Sequence, residues 1–146
     1  MFEIDNIIVN MENLIQIADA EFWHIINQRY QSSGGVYKVV AVENGLRIPV
    51  SRFLDTDDTG VLYIGKATSF IVRVINLKKS LSPEHHGKSH KFGMRYKSLL
   101  NIAKQFRFEM LYIELIQSES PALLEKQLLQ DYLNKFGEVP PLNAIS

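Results

Sequence analysis

The sequence predicts a small α/β domain built around a three-stranded sheet. Three apolar segments rich in β-branched and aromatic residues, at 35–42, 61–65 and 107–116, have the composition of strands. Segments with helical spacing of apolar residues separate them, in the order helix, strand, strand, helix, helix, strand, helix. A chain of 146 residues that is 46% hydrophobic can bury one core, so a single globular domain is expected.

The helices are predicted from their ends and their periodicity. The first begins after the N-cap residue Asn10 and runs from Met11 to about Gln31, as an accessory helix packed on the core. Two more are predicted over 67–80 and 94–106. The last has sharp limits, with Pro121 at its first position and Gly137 just past its end.

Composition excludes several classes of protein. The chain contains no cysteine, so it has neither disulfides nor a thiolate metal site. No apolar run approaches the roughly 20 residues of a membrane span, and the first ten residues lack the basic flank of a signal peptide. These features predict a soluble protein of the cytoplasm with no membrane partner.

Charge is distributed unevenly, although the formal net charge is zero. The segment 66–97 carries eight basic residues and one acidic residue, Glu84, whereas the rest of the chain carries eight basic and fifteen acidic residues. A solvated loop and helix surface would account for such a run, but its local field would also attract phosphates. The basic residues of the segment are Lys66, Arg73, Lys78, Lys79, Lys88, Lys91, Arg95 and Lys97.

Two charged residues occupy apolar surroundings in the predicted helices. Glu125 lies three and four positions before Leu128 and Leu129, on the apolar face of the last helix. A buried carboxylate is costly unless it is paired with a cation or bound to a metal, and the spacing favours neither reading over the other. Arg73 lies in a helix that is apolar on most sides, where a side chain that extends to the surface is the ordinary solution.

Several short motifs in a fixed order resemble the GIY-YIG nuclease superfamily. They are GVY at 35–37, LYIGK at 62–66, an arginine eight residues after the second glycine, a glutamate on a later helix, HKFGMRY at 90–96 and GEVPPLN at 137–143. Each motif alone is weak, whereas six in order make a specific signal. The resemblance runs from about residue 34 to residue 143. It divides the chain into an N-terminal helical extension, 1–33, and a nuclease domain, 34–146.

The first motif reads Gly-Val-Tyr in place of Gly-Ile-Tyr, a conservative exchange. The separation between Tyr37 and Tyr63 is longer than in the compact repair and homing members, which places the chain nearer the restriction-like branch. The fold that the resemblance implies is a small three-stranded antiparallel central sheet flanked by helices, with both tyrosines on one face. Gly65 would let the second strand turn tightly into the following helix.

The resemblance implies a metal-dependent endonuclease that leaves 5′-phosphate and 3′-hydroxyl ends. Glu125 would bind the divalent metal, Mg²⁺ or Mn²⁺, with waters and phosphate oxygens completing the shell. Tyr37 would position or deprotonate the attacking water, and Tyr63 would lie beside the scissile phosphate. Because the ordinary tyrosine pKa of about 10 is far from neutral, removal of the proton needs a nearby cation or a histidine relay, for which His90 is the candidate and His86 the alternative.

The remaining implied site residues would contact phosphate. Arg73 and Lys66 would stabilise the charge that develops on phosphorus, and Asn143 would hold the phosphate or orient the catalytic groups. The residues expected to bind nucleic acid are Lys66, Arg73, Lys88, Lys91 and Arg95.

DNA is the expected partner, although the sequence does not separate it from RNA. Two cuts in a duplex require two active sites, which is compatible with a homodimer, and a separate target-recognition partner is a second option. The alternatives are a structure-specific repair or mobile-element nuclease that nicks one strand, and a non-catalytic or partner-dependent nucleic-acid-binding module.

Overall fold

A computed structural model describes residues 13–81, 95–97 and 100–143. The helices within these ranges are α1 (Phe22–Tyr30), α2 (Phe70–Leu81), α3 (Leu100–Gln105) and α4 (Pro121–Phe136), with a 3₁₀ turn at Phe108–Met110. The strands are β1 (Ile15–Gln16), β2 (Gly35–Glu43), β3 (Leu46–Arg47), β4 (Val50–Ser51), β5 (Thr56–Asp57), β6 (Val61–Ala67) and β7 (Leu111–Gln117). The predicted mixed α/β class is confirmed.

Three long antiparallel strands form the middle of the sheet. β2 lies at the centre, paired with β6 on one side and β7 on the other. The two short strands β1 and β3 extend the sheet beyond the three predicted strands, β1 beside β7 and β3 as a hairpin on the end of β2. β2 is buried on both faces because it is central, which explains its nearly continuous run of apolar residues.

The strand alternation divides the interior into two hydrophobic clusters, one on each face of the sheet. The first cluster takes Tyr37, Val39 and Ala41 from β2, and the second takes Val36, Val40 and Val42. Helices α1 and α2 cover the first face through Phe22, Ile26, Phe70, Val74 and Leu77. Helix α4 covers the second face through Tyr132 and Phe136.

The predicted N-terminal helix is wrong over its first half. Residues 15–16 form β1, with Ile15 opposite Ile113 of β7, and the helix begins only at Phe22. In so short a run, the spacing of Leu14, Ile15 and Ile17 fits both a helix and a strand. Residues 15–16 form a strand because the edge of β7 is available for pairing. Ile15, Ile17 and Phe22 are all buried in the first cluster. Residues 1–12 lie outside the described residues, and the proposed division at residue 34 stays a prediction.

The ends of α4 agree with the sequence. Pro121 occupies its first turn, and Gly137 ends it in the left-handed conformation, with φ of 79° and a backbone N–H that donates to the Leu133 carbonyl. The Ser120 hydroxyl makes no capping hydrogen bond; instead the Ser118 Oγ accepts one from the Ser120 N–H at 3.0 Å.

The long connection between β2 and β6 is hydrogen-bonded to the C-terminal end of α4 and to the residues that follow it. The Arg52 guanidinium donates to the Glu138 carboxylate at 2.6 Å and to the Val139 carbonyl at 2.7 Å, and the Leu54 N–H donates to the Phe136 carbonyl at 2.9 Å. These contacts hold the C-terminal end of α4 and thereby fix the direction in which its N-terminal end points. None of the helices in the described ranges combines the length and apolar character needed to cross a membrane.

Candidate active site

A cavity of about 590 Å³ opens where β6 ends and where α2 and α4 begin. Three of the sequence-predicted site residues, Tyr63, Arg73 and Glu125, line it together with the predicted phosphate-binding residue Lys66. Its remaining walls come from the first turns of the two helices and the residues before them: Ala67, Thr68, Ser69, Val72, Pro121 and Ala122. Elements separated by sixty residues of chain therefore bring these predicted residues together.

The sheet register places the two motif tyrosines side by side. Val39 of β2 pairs with Tyr63 of β6, and Tyr37 lies two residues from Val39, so both tyrosine rings project from the same face. Their ring centroids are 6.0 Å apart at an interplanar angle of 40°. Tyr37 is fully buried, whereas Tyr63 is half-buried and reaches the cavity.

Gly65 provides space for a tyrosine, and the predicted tight turn at this position is wrong. The strand continues past Gly65 to Ala67, and Gly65 pairs directly with Tyr37. A Cβ atom at position 65 would lie 2.5 Å from both Cζ and Oη of Tyr37 and 2.8 Å from Cε1 of Tyr63. Because the Tyr37 ring is enclosed, it has little room to move away. Any larger residue would displace the pair of tyrosines.

Arg73 projects from α2 towards the two tyrosines and the Glu125 carboxylate. Its spacing in the helix had instead favoured a side chain that extends to the surface. A hydrogen bond from its guanidinium and its positive charge both act to lower the pKa of Tyr37. Its charge acts in the same direction on Tyr63 and on Glu125. Among the cations that the structure describes, Arg73 is thus the one that acts on all three groups.

Burial nevertheless determines the protonation state of the two tyrosines. Desolvation raises the pKa of Tyr37 and of Tyr63, and it outweighs the opposing effect of Arg73 in both. A hydrogen bond from the Tyr37 hydroxyl to Tyr63 partly offsets this rise for Tyr63. Both side chains are therefore neutral phenols at pH 7, able to donate and accept hydrogen bonds but not to act as strong bases.

Glu125 lies in the second turn of α4 and is partly buried. Burial raises the pKa of its carboxyl group, while the charges of Lys66 and Arg73 lower it. None of the ion pairs between described residues includes Glu125, so the two cations act on it from beyond direct contact. A partly desolvated carboxylate without a direct ion pair retains its oxygens for a hydrogen-bond donor or a cation.

A metal at this site would need ligands from outside the described residues. Among residues 13–81, 95–97 and 100–143, no group of three or more histidine, aspartate or glutamate side chains is arranged so that it could hold a metal ion. Glu125 fits a hard oxygen-seeking ion such as Mg²⁺, which commonly takes one or two carboxylates and completes its shell with water and substrate phosphate. His86 and His90, and likewise Lys88 and Lys91, lie outside the described residues.

Asn143, predicted to hold the phosphate or to orient the catalytic groups, is hydrogen-bonded to the backbone of β6. Its Oδ1 accepts a hydrogen bond from the Ile64 N–H and its Nδ2 donates to the Ile64 carbonyl, each at 2.9 Å. Both ends of the amide thus pair with the backbone of β6, in the manner of a neighbouring strand. The Leu142 N–H adds a hydrogen bond to the Leu62 carbonyl at 2.9 Å. Asn143 is a positioning residue for the strand that carries Tyr63 and Gly65.

Arg95 connects the same tail to the site. Its guanidinium donates to the Leu142 carbonyl at 2.6 Å, and its charge acts to lower the pKa of Tyr63. Arg95 was predicted to contact nucleic acid. Its described hydrogen bond is to the C-terminal tail.

Replacement of Asn143 by alanine is expected to lower the free energy of unfolding by about 1–3 kcal/mol, because the Ile64 N–H and carbonyl lose their partners. Cleavage should fall by more than this loss explains, since Tyr63 is adjacent to Ile64. Urea unfolding and cleavage measured on the same protein test both effects. Asn101→Ala, an exposed asparagine on α3, is the matched control. A fall in stability with unchanged cleavage would contradict the positioning role.

Thr68 and Ser69 line the cavity but were not among the predicted site residues. Their position before a helix N-terminus was the available signal, since such ends favour anions.

Comparison of the chain with known protein families, with functionally characterised proteins and with solved structures found no match. The class of protein must therefore be inferred from the cavity itself.

Proposed function

We propose that this protein is a metal-dependent endonuclease of the GIY-YIG type, hydrolysing phosphodiester bonds of DNA to leave 5′-phosphate and 3′-hydroxyl ends. One observation carries the proposal. The paired strands β2 and β6 place two tyrosines in contact, and the outer one, Tyr63, lines a cavity that also holds an arginine, a lysine and a carboxylate with no direct ion pair to another described residue. Phosphodiester hydrolysis needs an oriented water, a cationic environment for the phosphate and help for the leaving oxygen, and this set of groups can supply each.

Arg73 and Lys66 would bind the scissile phosphate. Both line the cavity, and the N-terminal ends of α2 and α4 open into it as well. The partial positive charge at a helix N-terminus adds to the charge of the two side chains. A dianionic transition state gains more from these donors than a monoanionic diester does, so they would accelerate the reaction as well as bind the substrate.

Glu125 would hold the divalent metal, with Mg²⁺ as the first candidate and Mn²⁺ as the second. The bound ion would neutralise charge on the phosphate and assist the leaving oxygen. The raised pKa of Glu125 reflects a carboxylate that has lost part of its hydration. A cation bound nearby would reverse that penalty, which explains why a costly residue is retained at the edge of an apolar stripe.

The two tyrosines would divide the task of orienting the attacking water. Tyr63 lines the cavity and can contact the water, whereas Tyr37 is fully buried and acts through its hydrogen bond to Tyr63. Since both are neutral phenols at pH 7, they would accept and donate hydrogen bonds without removing the proton. The proton acceptor in this proposal is His90 or His86.

Cleavage of supercoiled plasmid with Mg²⁺ tests the proposal directly. Nicked or linear product should form with Mg²⁺ and disappear with EDTA, and the ends should be religated by DNA ligase without prior phosphorylation. Arg73→Ala should reduce the rate about 10²- to 10³-fold, the effect of removing one donor to a developing oxyanion. Arg107→Ala, an exposed arginine in a surface ion pair, is the matched control.

Cleavage that continues in EDTA would overturn the metal-dependent mechanism. Absence of cleavage with salt-sensitive DNA binding retained would overturn the catalytic proposal in favour of a binding module. Linear product would indicate cleavage of both strands, and nicked circles alone would indicate the single-strand alternative.

A further inference from the structure

A second groove, of about 700 Å³, lies next to the active-site cavity on the side of α1. Ser69, at the start of α2, lines both depressions. The first turn of α2 therefore separates them only partly, with Val72 facing the cavity and Ile71 facing the groove. The two depressions are neighbours that share Ser69 as a lining residue.

The groove is lined mainly by polar side chains, together with the apolar Ile71. Its α1 side carries four side chains at positions i, i+3, i+4 and i+7, which lie along one face of a helix and its continuation: His24, Asn27, Gln28 and Gln31. Ser32 and Ser69 add hydroxyl groups, and no carboxylate lines the groove. Protein surfaces ordinarily carry many charged residues, so a stripe of amides beside a cationic cavity is distinctive. We call this surface, formed by His24, Asn27, Gln28, Gln31, Ser32 and Ser69, the amide groove.

The amide groove is fixed rigidly to the active site. The Phe70 N–H at the start of α2 donates to the Ser33 carbonyl at 3.0 Å, and the Ser33 hydroxyl donates to the Tyr30 carbonyl at 2.5 Å. The rings of Tyr30 and Phe70 pack edge to face with centroids 5.6 Å apart. A ligand that occupies both depressions would therefore meet a preformed surface, which lowers the entropic cost of binding.

The opposite side of the molecule has the reverse character. A cavity of about 350 Å³ beneath α4 is lined by Asp55, Asp57, Asp58 and Asp131 against two lysines. A polyanion would be repelled there. The amide groove, by contrast, has no carboxylate among the described residues that line it, so this side of the cavity is the more favourable path for a nucleic acid.

We infer that the amide groove holds the nucleotides that flank the scissile phosphate, through hydrogen bonds from amide and hydroxyl groups. This inference rests on the proposed function. Asparagine, glutamine and serine donate to phosphate and sugar oxygens, and the amides also match the edge of adenine in the major groove. The groove binds without adding charge, so it contributes affinity that does not depend on the release of counterions.

The test is a comparison of affinity and of its salt dependence, using fluorescence anisotropy of a labelled DNA duplex in EDTA. The double variant Asn27→Ala/Gln28→Ala should weaken binding about tenfold, the effect of losing two neutral hydrogen bonds. The slope of log K against log salt should stay that of the intact protein, because no charge is removed. Lys66→Ala, in the active-site cavity, should instead reduce that slope by about 1.

The matched control is Gln130→Ala/Asn134→Ala, which removes the same two residue types from the exposed face of α4. Equal affinity of the two double variants, with Lys66→Ala still weakened, would overturn the role of the amide groove alone. No binding of DNA by the intact protein would overturn the proposed function together with this inference. All four replaced residues are exposed helix positions where alanine favours the helix, so folding should be preserved.

Discussion

Glu125→Gln is expected to reduce Mg²⁺-dependent cleavage about 10³-fold or more while leaving the fold intact. The loss follows because a carboxylate that binds the metal supplies several kcal/mol of transition-state stabilisation, and each 1.36 kcal/mol corresponds to a factor of ten in rate. Glutamine keeps the size and one oxygen of the side chain but removes its charge. The measurement is plasmid cleavage at saturating Mg²⁺, with thermal unfolding of the same protein.

The pKa of Glu125 fixes the sign of its effect on stability. Burial raises this pKa in the folded protein, so the ionised carboxylate is less favourable there than in the unfolded chain. The protonated carboxyl group therefore contributes to the free energy of unfolding at low pH, and this contribution is lost as the pH rises through the folded pKa. At pH 7 without metal, the free energy of unfolding of Glu125→Gln should therefore equal or exceed that of the intact protein. Metal binding has the opposite dependence and should weaken as the pH falls towards that raised pKa.

Glu43→Gln makes the same charge change at the exposed end of β2 and serves as the control. It should cleave DNA at the rate of the intact protein. Cleavage by Glu125→Gln within a few fold of this control would exclude Glu125 as the metal ligand. Loss of cleavage accompanied by a large loss of stability would show instead that Glu125 supports the fold.

Asp57→Ala is expected to lower the free energy of unfolding by about 3–5 kcal/mol, a large part of the 5–15 kcal/mol typical of a domain. Asp57 is completely buried and accepts hydrogen bonds from the Tyr132 hydroxyl at 2.9 Å, from the Thr59 N–H and hydroxyl at 2.8 and 2.5 Å, and from the Val61 N–H at 3.3 Å. Alanine would leave the buried Tyr132 hydroxyl and Val61 N–H without an acceptor, and each such group costs about 1–3 kcal/mol. Urea unfolding measures the loss.

The neighbouring Asp58 is exposed, so Asp58→Ala provides a control in the same turn. It should change the free energy of unfolding by less than about 0.5 kcal/mol. Tyr132→Phe removes only one of the donors and should cost about 1–2 kcal/mol. Similar costs for Asp57→Ala and Asp58→Ala would contradict the structural role. Since Tyr132 belongs to the same helix as Glu125, Asp57→Ala should also lower cleavage.

Local patterns in the sequence predicted the elements whose signals are local. The valine-rich strand predicted over 35–42 and the helix predicted between Pro121 and Gly137 came from composition and end residues, and both are observed, the strand as Gly35–Glu43. The prediction of a helix was wrong at residues 15–16, because these residues pair with β7, about a hundred positions away. A short apolar run fits both the helical and the strand periodicity. Tertiary contact decided the structure there.

The same distinction applies to the candidate site. Tyr63, Arg73 and Glu125 were selected from a motif and from their apolar surroundings, and the fold brings them to one cavity. Asn143 was predicted to hold the phosphate or to orient the catalytic groups, and its hydrogen bonds to the backbone of Ile64, 79 residues away, favour the second role. No local pattern specifies that pairing. The space that Gly65 leaves for Tyr37 is likewise visible only once the two strands are in register.

The hydrogen bonds from residues 142 and 143 to β6 also bear on folding and aggregation. Among the described residues, β6 pairs with another strand only on its β2 side, so its outer edge exposes backbone groups on which a second chain could add a strand. The tail occupies that edge at Leu62 and Ile64. Contacts of such long sequence separation form late in folding, which leaves an interval in which the edge is open. Removal of the tail should therefore promote association between chains during refolding.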